Sequence, residues 1–231
     1  MPLTLITGGN KGLGYEAARR LLELGHTVYI GARDSGRGTE AARELGARFV
    51  QLDVSDDASV AAAAAEVAER DGHLDVLVNN AGIADAMLAP EDVTASAMQQ
   101  VYDVNVFGIV RTTHAFLPLL RAAPCPVIVN VSSGLGSFGV VTNPERFESG
   151  FATMVYGSSK AAVGMLTLQY SKALPDIKIN VVDPGYTATD INGNSGHQSV
   201  TEGTDAIVRL ATIGPDGPTG TFSDRHGALP W

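Results

Sequence analysis

The chain has 231 residues, 45% of them hydrophobic and 18% charged, a balance that excludes a disordered polymer and is enough for one domain with a full core. Its 25 acidic and 16 basic residues give a formal net charge of −9, which excludes nucleic acid and anionic membrane as natural partners. No apolar run approaches the ~18 residues of a membrane span. The single cysteine, Cys125, has no internal partner and sits in "APCPVIVN", where a strand-entry residue is expected rather than a reactive thiol. Leu3–Ile6 passes directly into glycines without the pattern of a secretory leader, so a cytoplasmic protein is expected.

Short apolar, β-branched runs recur along the chain: "LTLIT", "TVYIGA", "RFVQLD", "DVLVNNAG", "PVIVNVSS", "IKINVVDPG" and "GTFSD". Helical spacing fills the gaps. Ala18, Leu21 and Leu22 share one face after the first glycines, and "SVAAAAAEVAER" is read as a plain helix because alanine is the best helix former. A longer helix is expected from about Thr94 to Leu120, interrupted near Phe107–Gly108 and ended by Pro124; another runs from Tyr156 to Leu174. The β-α-β alternation predicts a single α/β domain over residues 1–231: a doubly wound parallel sheet of about seven strands with helices on both faces.

"TGGNKGLG", Thr7–Gly14, lies between the first strand and the first helix. Glycines in that turn let a pyrophosphate approach the helix N-terminus, where free N–H groups favour an anion; the spacing is Gly8-x3-Gly12-x-Gly14. Gly8–Gly14, Arg33, Asp53, Asn80, Ser133 and Pro184–Gly185 each follow a different predicted strand, so all fall on the ligand-binding edge of an open sheet. Tyr156 and Lys160, four apart on a helix, share a face. A nearby ammonium is expected to lower the phenol pKa from ~10 and suit the tyrosine to acid–base work.

These motifs resemble the short-chain dehydrogenases/reductases over essentially the whole chain. The resemblance covers TGxxxGxG at Thr7–Gly14, "DV" at Asp53–Val54, "NNAG" at Asn79–Gly82, Asn105, "VNVSS" ending at Ser133, YxxxK at Tyr156–Lys160 and "PGxxxT" at Pro184–Thr189. "GNKGLG", "GARD", "LDVLVNNAG" and the terminal tryptophan look most like carbonyl reductases. The resemblance implies a Rossmann oxidoreductase with Asn105, Ser133, Tyr156 and Lys160 as its catalytic set. Ser133 would hold the carbonyl oxygen, Asn105 would bend its helix and hold a water, and Lys160 would also hold the nicotinamide ribose. Gly8, Asn10, Lys11, Gly12, Leu13 and Gly14 would line the cofactor, with Asp53 and Val54 at the adenine and Asn80, Ala81 and Gly82 at the adenosine ribose. Pro184 and Gly185 would approach the nicotinamide, and Thr187 and Thr189 its carboxamide.

The position that carries an acid in NAD-binding members is Ala32 here, followed by Arg33. A guanidinium grips a 2′-phosphate that a carboxylate would repel, and Lys11 offers a second cation, so the cofactor implied is NADP(H) and the reaction is reduction of a ketone or aldehyde. Arg37 either reaches that phosphate or is a solvated surface residue, and Asp34 starts the next helix. A narrow biosynthetic ketoreductase, an NADP-linked alcohol dehydrogenase and a noncatalytic NADPH sensor are the alternatives. Partners implied are a small carbonyl or alcohol substrate and either no second copy or a homo-oligomer. No His/Cys/carboxylate set has metal-ligand spacing, so no metal is expected. His26, His73 and His226 are expected to be solvated, His114 to pack on its helix, and His197 lies in the expected substrate lid, about residues 186–200. Ser133 and Tyr156 are 23 positions apart, more than in many members; the extra residues are about Thr142–Phe151.

Overall fold

The computed structural model describes residues 1–84 and 88–231. Seven strands form one parallel sheet in the order β3-β2-β1-β4-β5-β6-β7. They are β1 (Leu3–Thr7), β2 (Thr27–Ala32), β3 (Arg48–Gln51), β4 (Val76–Asn79), β5 (Val127–Val131), β6 (Lys178–Val182) and β7 (Phe222–Ser223). Every residue of β1, β4 and β5 is buried, as a parallel sheet covered on both faces requires. Leu3 and Leu5 of β1 join Tyr29 and Ile128 in the core on one face, while Ile6 joins Val28, Ile30, Val127 and Val129 on the other.

The helices between the strands are α1 (Gly12–Glu23), α2 (Ser35–Leu45), α3 (Asp57–Asp71), α4 (Ala95–Tyr102), α5 (Gly108–Arg121), α6 (Phe138–Val141), α7 (Met154–Ala173), α8 (Val200–Gly203) and α9 (Asp205–Ala211). The alanine-rich segment is α3. Asp56 caps its first N–H groups, Gly72 closes it in the left-handed conformation, and Val60, Ala63, Ala64 and Val67 face the core. Asp34 caps α2 by accepting from the Arg37 backbone N–H, so it does start that helix.

In the fold, the structure refines the long helix and departs from the sequence reading at two places. The expected interruption of the long helix near Phe107–Gly108 is a π-helical turn over Asp103–Phe107, after which α5 runs from Gly108 to Arg121. His26 is not solvated: it is 8% exposed, its Nδ1 lies 2.8 Å from Thr4 Oγ1, and burial lowers its pKa. β3 ends at Gln51 and β7 has two residues, both shorter than their apolar runs.

A polar ladder crosses the sheet beneath the strand ends. Thr112 Oγ1 donates to Asn79 Oδ1, Asn79 Nδ2 to Asn130 Oδ1, and Asn130 Nδ2 to Thr167 Oγ1, all within 2.9 Å. It ties β4 and β5 to α5 and α7 through buried side chains. Asn130→Leu leaves the Asn79 amide without an acceptor, and is expected to cost about 1–3 kcal/mol in urea unfolding. A change near zero would show that the ladder does not hold these elements together.

Candidate active site

The glycine turn follows β1. Gly8 and Gly12 have φ of +65° and +55°, conformations that other residues resist. A Cβ on Gly14 would stand 2.6 Å from the Gly8 carbonyl oxygen, so the turn packs only without one. Asn80 holds it: its Nδ2 donates to the carbonyls of Thr7 and Gly8 at 2.9 and 3.2 Å. Thr7 Oγ1 in turn accepts from the backbone N–H groups of Asn80 and Ala81. Asn80, expected at the adenosine ribose, therefore has its amide engaged in bracing the turn. Lys11, the residue before α1, makes no side-chain hydrogen bond to the first N–H groups of the helix, next to Asn10 and Leu13 in the chain. These features fit a dinucleotide pyrophosphate: a cradle clear of side chains at an uncapped helix start.

Arg33 follows β2, and Asp53 follows the end of β3. Asp53 Oδ1 accepts from the Ser55 N–H and hydroxyl. Although burial pulls the other way, these bonds and the nearby Arg33 and Arg111 charges hold its pKa below the usual carboxylate value. Val54, buried, packs against Gly108. Among the described residues Arg33 makes no ion pair, whereas Arg37 is turned back on Asp34 at 3.1 Å. Lys11 does not stand free. Its ammonium is 2.7 Å from Asp190 Oδ2 in the lid, both side chains being largely exposed.

The four expected catalytic residues come together behind β4 and β5. Lys160 is 4% exposed and its ammonium donates to the Val131 carbonyl at 2.9 Å. Asn105, inside the π-helical turn, donates to Ser159 Oγ and to the Ile83 carbonyl, and accepts from the Ile83 N–H. Gly82 lies between them: a Cβ there would be 3.3 Å from Asn105 Oδ1 and 3.4 Å from Lys160 Nζ. Ser132 is buried and donates to the Lys160 carbonyl, which locks α7 to β5. Ser133, the next residue, lines the cavity beside Tyr156.

The expected lowering of the Tyr156 phenol is not what this site does. Burial raises its pKa, the Asp183 charge adds to that, and Ser133 opposes both only in part. Burial also pushes the Lys160 ammonium down to about 8, which still leaves it mostly charged at neutral pH. The phenol is therefore held protonated at neutral pH, the state from which a proton can be given.

The cavity has a volume of about 450 Å³ and extends from Leu13, Asn80 and Gly82 past Ser133, Tyr156 and Lys160 to Pro184, Gly185, Thr187 and Thr189. Gly185 has φ of +70°, and the Thr187 hydroxyl donates to the Pro184 carbonyl, which fixes the turn after β6. The methyl of Thr189 faces Gly12 across the opening. Sequence reasoning missed Asp183 and Glu148. Asp183 is 4% exposed, accepts from the Gly185 N–H at 2.8 Å, and fills the space a Gly134 side chain would need. Its pKa is raised by burial, against the Gly185 and Gly134 N–H groups. A carboxylate ending the apolar run "NVVDPG" was the available signal.

Lys160 gives a pH test. Its folded pKa of about 8 lies below the reference 10.5, so across that window the unfolded chain holds more protons and rising pH favours the fold. Relative to Lys160→Met, the native chain is expected to gain stability between pH 8 and 10.5, at up to about 1.4 kcal/mol per pH unit. Urea unfolding of both at several pH values checks this; a constant difference would contradict it.

A family model described as short chain dehydrogenase matches residues 2–199. Among curated relatives, short-chain dehydrogenase anuI of Penicillium roqueforti (strain FM164) is 37% identical over 92% of this chain and 89% of its own length. Short-chain dehydrogenase/reductase 1 of Saponaria officinalis is 33% identical over 98% and 95%. Among solved structures, an NADPH-bound carbonyl reductase from chicken fatty liver aligns over 100% of both chains at 29% identity with a TM-score of 0.87. Salutaridine reductase from Papaver somniferum aligns over 97% of this chain and 99% of its own, at 27% identity with a TM-score of 0.84. The chain belongs to the short-chain dehydrogenase/reductase family of oxidoreductases.

Proposed function

We propose that the protein is an NADPH-dependent carbonyl reductase acting on a ketone or aldehyde. The observation that carries this reading is the meeting of Tyr156, Ser133 and Lys160 at one cavity with the braced glycine turn. NADPH, when bound, supplies hydride. Gly8, Gly12 and Gly14 would receive its pyrophosphate, and Pro184, Gly185 and Thr189 would border its nicotinamide. Ser133 would orient the substrate oxygen. The protonated Tyr156 phenol gives its proton to that oxygen, and Lys160 steadies the resulting phenolate. Asn105 keeps Ile83, in the segment after β4, and α7 in place around the ammonium.

Preference for NADPH over NADH is supported by the residues after β2. Ala32 offers no carboxylate, Arg33 makes no ion pair among the described residues, and Asp34 is engaged in capping α2. Lys11 adds a second cation, because an exposed pair such as Lys11–Asp190 holds little energy and can open. The partner in this reading is a small carbonyl substrate, and the setting is the cytoplasm, in keeping with a single free cysteine.

Loss of reduced-nicotinamide absorbance with a panel of aldehydes and ketones tests the assignment. NADPH is expected to support turnover and NADH to support it weakly. Tyr156→Phe is expected to lower kcat by about 10²–10⁴-fold. Arg33→Ala is expected to cut the NADPH preference about tenfold or more, the worth of a charge-assisted contact. A preference for NADH would overturn the cofactor assignment, and full activity in Tyr156→Phe would overturn the chemistry.

A further inference from the structure

Above Ser133 and Tyr156 the cavity is roofed by side chains that the proton chemistry does not use. Phe147 and Phe151, in the segment Thr142–Phe151, meet with ring centroids 4.7 Å apart. Phe147 reaches across to Tyr186 of the lid at 5.7 Å, and Tyr186 meets His197 at 5.8 Å. The Tyr186 hydroxyl is fixed on Ser195 Oγ at 2.5 Å, so the ring is held in place. This wall is apolar yet open: Phe147, Phe151 and Tyr186 are 60%, 38% and 36% exposed. Leu88, Val93, Met154 and Ile191 continue the apolar lining. Rings left open around a cavity are unfavourable in water, and the complement that buries them is another flat apolar surface.

Carboxyl groups crowd the same end. Asp183 and Glu148 both line the cavity. The nearby Arg146 guanidinium is engaged on Glu148, and the Lys160 ammonium on the Val131 carbonyl. An anionic substrate would meet two carboxyl groups there, and the nearby Arg146 is already engaged on one of them.

We propose that the Thr142–Phe151 segment and Tyr186 form a substrate clasp, and that the substrate is a bulky cyclic carbonyl compound without an anionic group. This rests on the reading of the cavity as that of a carbonyl reductase. The extra residues between Ser133 and Tyr156 then serve specificity: they bring Phe147 and Phe151 to the wall of the cavity that holds Ser133 and Tyr156, and set Phe147 beside Tyr186 of the lid. Stacking on each ring is worth about two- to tenfold in affinity.

The test compares 2-tetralone, butanone, acetophenone and 4-acetylbenzoate with the native chain, Phe147→Ala and Tyr186→Ala. In the native chain 2-tetralone is expected to be reduced with the highest kcat/KM, and 4-acetylbenzoate far less well than acetophenone. Each variant is expected to lose about tenfold in kcat/KM on 2-tetralone, mostly through KM, and little on butanone. Saturation-transfer NMR with 2-tetralone and no cofactor gives a second readout: a signal on the tetralone protons is expected with the native chain and is expected to weaken with Phe147→Ala and Tyr186→Ala. Equal losses on both ketones, no advantage for 2-tetralone, or good turnover of 4-acetylbenzoate would each overturn the proposal. If no ketone is reduced, the reductase reading fails while a tetralone signal that weakens in both variants still upholds the clasp; no signal with the native chain, or one unchanged in the variants, overturns the clasp as well.

Discussion

The ammonium of Lys160, held on the Val131 carbonyl at 2.9 Å in a nearly dry site, is the constraint around which the rest of the site is arranged. A buried cation is tolerated only where its surroundings are fixed and polar. Ser132 supplies part of that by bonding the Lys160 carbonyl and anchoring α7 against β5. Asn105 supplies another part by joining Ser159, on the same helix as Lys160, to the backbone of Ile83. The π-helical turn at Asp103–Phe107 makes that possible, since it breaks a regular helix where Asn105 faces the chain after β4. Tyr156, one turn before Lys160 on α7, is thereby fixed with respect to the sheet.

The sheet decides what can approach that helix. Parallel strands all end on one edge, and the turns after β1, β4, β5 and β6 meet there. The glycine turn is braced by Asn80 and Thr7, so it is rigid before any ligand arrives. Asp183 links two of the strand ends: one oxygen accepts from Gly185, and the other occupies the space beside Gly134, directly after Ser133. Its charge disfavours the Tyr156 phenolate, as burial does. The same carboxyl group thus fixes the geometry of the edge and keeps the phenol loaded with its proton.

Much of this was legible in the sequence for physical reasons. Apolar runs buried on both faces mark parallel strands, and motifs placed just after them must share an edge, so Gly8–Gly14, Ser133 and Pro184–Gly185 could be gathered without coordinates. Helical spacing put Tyr156 and Lys160 on one face, but what singled the pair out was its place in the order of the other motifs. What depended on burial was not legible. The direction of the Tyr156 shift reversed because burial raises it and the Asp183 charge adds to that, beyond what the Ser133 hydrogen bond offsets. His26 looked like a turn residue but packs against Thr4. Lys11 looked like a free cation but pairs with Asp190, 179 residues away. Asp183, Glu148 and the Phe147–Tyr186 contact arise from segments distant in the chain, and no local pattern encodes their meeting.

The most direct single measurement follows deuterium rather than absorbance. NADPH carrying deuterium at both C4 positions of its nicotinamide would be supplied with a reducible ketone, and the alcohol product examined by mass spectrometry and NMR. Deuterium at the carbinol carbon is the expected result, with the hydroxyl proton drawn from solvent through Tyr156. An unlabelled carbinol carbon, or no alcohol from a folded protein that binds NADPH, would contradict hydride transfer at this site.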